Sequence, residues 1–249
     1  MDTLNFYYDS SVTTKGAHML PNPWKGTKVK FEPWHEKSRY DKGIRGHKVL
    51  ILGESHYHRC DNDEHCSNPK SSAARHRNLT CSMVKSWKDQ PSRIPISSRL
   101  PKLFKLNKSE FWGSVVFYNY LQSFAGTGAR QRPKKEQWTA EESAEAFQDI
   151  LDCFEPDRVL VLGKDLWTNL PSNPRILARA PQRESKLPVA NNIGGRNKVD
   201  EVCYWYITRS GKPALAMPIM HPSAPGFRHA IWIEPVTDWM NFDGSPIFR

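Results

Sequence analysis

The segment His47–Gly53, HKVLILG, constrains the fold more than any other. Its apolar run shows no alternation and stops at a glycine. That pattern predicts a central parallel strand buried on both faces, which obliges the chain to supply helices on both sides. Glu54, Ser55, His56 and Tyr57 follow at once. They stand at the C-terminal end of the strand, the end at which open α/β sheets bind their ligands.

Four further apolar segments predict strands: Ser114–Asn119, Arg158–Gly163, Val202–Thr208 and Ala214–Met220. A helix is predicted over Ala140–Phe154, with Phe147, Ile150, Leu151 and Phe154 on its apolar face. Thr139 is its expected N-cap, and Glu142, three residues on, completes a capping box. A closing helix is predicted over 228–241, interrupted at Pro235. Residues 171–200 read as a long loop. Helices between apolar strands imply a three-layer α/β/α sandwich around a mainly parallel sheet. One domain spans 1–249, with an irregular arm at 1–45 pinned by Trp24 and Trp34, and a polar insertion at 58–110.

Charge narrows the partners. The chain carries 36 Lys and Arg against 26 Asp and Glu, a net charge of +10. Between Ser67 and Ser109 lie ten basic residues and one acidic residue, Asp89. A surplus of this kind attracts polyanions through counterion release, so nucleic acid enters the list of partners, with plain solubility charge as the alternative. No run of 18 apolar residues occurs, and the first residues have neither a basic nor an apolar leader region, so a membrane partner is not expected. Five cysteines in no framework spacing suit a reducing, cytoplasmic setting. A monomer is expected.

Polar residues gather where the predicted strands end: Glu54, Ser55 and His56 after the first, Asn119 on the second, His221 after the last. The sequence GESHY at 53–57, FYNY at 117–120, RVLVLG at 158–163 and HPS at 221–223 resembles the motif order of the uracil-DNA glycosylase superfamily. The resemblance runs over about residues 47–230. It implies a four-stranded sheet between helices, and hydrolysis of the bond between a flipped-out pyrimidine and its deoxyribose. Glu54 matches the glutamate of the GEAPG branch, which implies that it activates water or stabilises the sugar cation. His221 matches the histidine that donates to the base oxygen. Asn119 matches the asparagine that reads the base edge, and Tyr57 the tyrosine that crowds position 5 of the pyrimidine. Ser55 stands where the GQDPY branch has its aspartate. Phe117 is a candidate to stack on the base, and Phe227 to fill the emptied stack. Ser223, Arg130, Arg132 and Lys134 are candidates for phosphate contacts. Uracil is the implied default base, in DNA repair; a bulky modified cytosine of phage DNA, in phage defence, is the variant.

No cofactor is expected. His58, Cys60, His65, Cys66, His76 and Cys81 nonetheless crowd into 24 residues. Cys60, Cys66 and Cys81 are therefore candidate ligands for zinc or an iron–sulfur cluster. Cys153 and Cys203 read as core. Two other functional readings stay open. The loss of aspartate at Ser55 allows a catalytically silent DNA-binding module of the same fold. Ser55 between Glu54 and His56 allows a serine-type esterase, although Tyr57 occupies the last glycine position of the G-x-S-x-G elbow.

Overall fold

The computed structural model describes residues 24–57, 77–90, 94–126, 131–171 and 203–244. Strands β1 (Val49–Gly53), β2 (Val115–Asn119), β3 (Arg158–Leu162), β4 (Tyr204–Ile207) and β5 (Pro213–Ile219) form one sheet in the order β2-β1-β3-β5-β4. The first four strands in that order are mutually parallel, and β4 pairs antiparallel with β5. The protein is thus α/β with five strands rather than the four expected; the extra one is the antiparallel edge strand that returns as β5 through a short turn.

Every residue of β1, β2 and β3 is buried. Alternate side chains therefore enter two apolar clusters, one on each face. Val49, Ile51, Val115, Phe117, Leu160 and Met217 face one cluster. Helices α2 (Leu79–Asp89), α3 (Pro95–Leu103), α4 (Lys108–Ser114) and α8 (His229–Asn241) contribute to it Trp87, Leu100, Trp112 and Trp232. Leu50, Leu52, Val116, Val159 and Val161 face the other, with α6 (Glu141–Phe154), α7 (Lys164–Asn169) and the arm residues Trp24 and Val29. Short helices α1 (Lys37–Tyr40) and α5 (Lys135–Trp138) complete the described elements. No described helix is long and apolar enough to cross a membrane.

Three sequence expectations are corrected here. The described part of the basic insertion, 77–90 and 94–110, is a helical layer of the core. Val84, Trp87, Leu100 and Leu103 are buried, and the charges between them mask this spacing. Thr139 does not cap α6; Ala140 takes that position. The Thr139 hydroxyl instead donates to the carbonyls of Lys135 and Glu136, closing α5. Pro235 does not interrupt α8, which continues through it. A proline removes one helix hydrogen bond, and burial of Trp232, Val236, Trp239 and Met240 holds the helix together across it.

The arm is tied down at several points, two of them close to β2. Trp34 bridges Phe117 through both backbone groups, at 2.9 and 3.0 Å. Gln122 Oε1 accepts from the Lys30 amide at 2.8 Å, while its Nε2 donates to the carbonyls of Asn119 and Tyr120.

Candidate active site at the strand ends

The chain passes from β1 to β2 on one side and then back across to β3. The sheet therefore has a topological switch point between β1 and β3, the place outside the carboxyl ends at which open α/β sheets bind their ligands. Glu54 leaves β1 at that point. Gly163 leaves β3 there at φ +107, a conformation that favours glycine. His221 follows β5, and a Cβ on Gly163 would lie 3.5 Å from His221 Cβ.

Residues 54–57 continue the pairing of β1 beyond the sheet. The Glu54 carbonyl accepts from the Leu121 amide at 3.0 Å, and the His56 carbonyl from Ala125 at 2.9 Å. This extension fixes the backbone under Glu54 and Tyr57. Arg132 reaches in from the loop after β2 and pairs with Asp165 of α7, Nη1 to Oδ2, at 2.9 Å. Gln137 anchors that loop by donating to Ser123 Oγ and the Phe124 carbonyl, at 2.7 and 2.8 Å.

These groups share one electrostatic environment. Burial raises the pKa of Glu54; Arg132 opposes this and Asp165 adds to it, while the Ser55 hydroxyl pulls it down. Burial lowers the pKa of His221, and Arg132 lowers it further. Burial also raises the Tyr57 phenol, with the Glu54 charge adding to the effect. Arg132 thus acts on Glu54, Tyr57 and His221 together. His221 Nδ1 accepts a hydrogen bond from the Ser223 amide at 3.1 Å. A backbone N–H can only donate, so Nδ1 carries no proton and the ring proton sits on Nε2. The arrangement offers a desolvated carboxylate and a neutral imidazole N–H donor at the carboxyl ends of β1 and β5, the two strands that flank β3.

The other expected site residues lie elsewhere. Asn119 is turned into the interior, 4 % exposed. Its Nδ2 lies 3.1 Å from His56 Nε2 and 3.3 Å from Nδ1. It does not stand open at the strand ends as a base reader, because His56 has taken its amide. His56, to which the sequence assigned no role, is buried beneath Phe31 and reaches Thr80 Oγ1 at 2.9 Å. Burial drives its pKa down to about 3, so the ring is neutral. Phe117 packs between Trp87 and Trp112 in the core and has no face for a base. Phe227 is 6 % exposed, a core residue rather than an exposed wedge. Ser223 and Lys134 are exposed, and Arg130 lies outside the described residues.

Ser55 has no histidine partner: the ring of His56 is bonded to Thr80 and Asn119, and Nδ1 of His221 to Ser223. The serine–histidine pairing that an esterase needs is therefore not formed. Cys60, Cys66, His58, His65 and His76 lie outside the described residues. Cys81 points its Sγ at the Pro33 carbonyl, 3.4 Å away, and burial pushes its thiol up to about 11. Among the described residues no group of three or more His, Cys, Asp or Glu could hold a metal ion. Cys153 is exposed rather than in the core, whereas Cys203 is buried.

Compared with known proteins, the chain matches no family model, and no curated protein is similar to it at a significant level.

Proposed function

We propose that this protein is a DNA glycosylase that hydrolyses the N-glycosidic bond of a flipped-out pyrimidine, with Glu54 and His221 as its catalytic residues. The observation that carries the reading is that a desolvated carboxylate after β1 and a neutral Nε2–H donor after β5 both stand at the carboxyl end of the sheet and both feel the charge of Arg132. Breaking the bond puts positive charge on the sugar and negative charge on the departing base. Glu54 faces the first and takes a proton from the attacking water as its oxygen bonds to C1′. The Nε2–H of His221 donates to the base oxygen as the bond to nitrogen breaks and the base leaves with the electron pair.

Tyr57, half-buried beside Glu54, limits what can occupy position 5 of the ring. Ser55 takes no part as a base. Asn119 acts at a distance, by holding His56 in place. Arg132, Lys134 and Ser223 contact phosphate, in keeping with the net charge of +10. The test is incubation with DNA carrying uracil, thymine or glucosylated hydroxymethylcytosine, followed by alkali. Strand breaks at one of these bases support the reading and name the substrate. Binding without breaks selects the silent DNA-binding module instead.

A further inference from the structure

The turn that carries His221 is held from outside by a residue far away in sequence. Arg99, on α3, donates from Nη1 to the Pro222 carbonyl at 2.6 Å. That carbonyl belongs to the same peptide group as the Ser223 amide, and the Ser223 amide donates to His221 Nδ1 at 3.1 Å. One planar peptide unit therefore joins the guanidinium to the imidazole: its oxygen is gripped at one end and its N–H is aimed at the other. We infer that Arg99 is a positioning residue for His221, acting through the Pro222–Ser223 peptide to fix the imidazole as its Nε2–H tautomer.

Three features support a relay rather than simple packing. A peptide group is rigid, so holding its oxygen sets the direction of its N–H. A cation on the oxygen polarises the group and makes the N–H a better donor, and chained hydrogen bonds strengthen one another. The frame around the relay is also fixed. The His221 carbonyl accepts from the Ala224 amide at 2.8 Å. Phe227 is buried beneath Arg99, its ring centroid 5.9 Å from the guanidinium carbon. Helix α3 itself is tied to the core by Trp112 Nε1, which donates to the Ser97 carbonyl at 3.1 Å. Besides this relay, the charged group acting on the His221 ring is Arg132, which is itself paired with Asp165.

The inference rests on the proposed role of His221, but its test reads the imidazole directly. The experiment records nitrogen-15 NMR of the histidine rings across pH, with His221 assigned by its loss in His221→Gln. In the wild type, His221 shows one neutral tautomer, protonated at Nε2. In Arg99→Met, the Nδ1-protonated form appears and the titration midpoint moves up towards 6.5, the ordinary imidazole value. Arg99→Lys keeps a cation over Phe227 and one donor for the carbonyl. It falls between the two, and it serves as the test if Arg99→Met does not fold. A wild-type tautomer and midpoint in whichever of these variants fold would overturn the relay. If the tautomer shifts in a protein that releases no base from DNA, the relay stands and the glycosylase reading falls. If base release is found and the tautomer does not move, the reverse holds.

Discussion

Glu54 owes its character to its neighbours more than to its own chemistry. Burial and Asp165 raise its pKa above the ordinary carboxyl value of 4.5, while Arg132 and Ser55 restrain it. The proposed reaction needs the ionised form, so excision should fall away on the acid side, as pH drops through that raised pKa. Asp165→Asn removes a negative charge, lowers the Glu54 pKa and should move the acid limb to lower pH. Arg132→Gln should move it the other way. A pH–rate profile of the two variants checks both signs, and limbs that do not move would show that Glu54 is not the titrating group. His56 supports a separate prediction on stability. Its folded pKa of about 3 lies below the unfolded value of 6.5, so between these values the unfolded chain binds a proton that the folded chain excludes. Stability should therefore fall as pH drops through this window, by ~1.4 kcal/mol per pH unit from this one group. Denaturant unfolding across the window should show a shallower pH slope in His56→Gln; equal slopes would mean that the ring protonates without unfolding.

At the scale of elements, the close pairing of β1 and β2 at their carboxyl ends holds the site. Gly53 lies beside Asn119 in the register. A Cβ at Gly53 would collide with Asn119 Oδ1 and come within 3.1 Å of Phe117 Cζ. Gly53→Ala should therefore dislodge the Asn119 amide from His56 and destabilise the fold by ~1–3 kcal/mol, measured by chemical denaturation; an unchanged midpoint would mean that the strand ends can spread. Much of this framework was legible in the sequence. Unbroken apolar runs marked the strands, and the spacing placed Glu54 and His221 at strand ends. The layer α2–α4 was not legible, because Lys85, Lys88, Arg99 and Lys102 are interspersed with Val84, Trp87, Leu100 and Leu103 and the charge count hides the period. The burial of Asn119 and Phe227 was not legible for a related reason. A residue at a strand end or in a turn points in or out according to its partners, and His56 and Arg99, which decide the matter here, are distant in sequence.

For the whole molecule, the net charge of +10 and the exposed Arg132, Lys134 and Ser223 suit a polyanionic ligand. DNA affinity should drop by about a power of ten or more over a roughly fourfold rise in salt, if several phosphates are neutralised. Fluorescence anisotropy with a short duplex measures this, and an affinity indifferent to salt would remove DNA from the account. The central claim is that the site at the carboxyl ends of β1 and β5 breaks a glycosidic bond. The most direct measurement is single-turnover base release from a duplex with one modified pyrimidine, by wild type and Glu54→Gln side by side, each shown to be folded. The wild type should release the free base and leave an alkali-labile site, with Glu54→Gln slower by roughly 10²-fold, the usual loss when charge stabilisation at a transition state is removed. Intact DNA after incubation with the wild type, or equal rates for the two proteins, would contradict it.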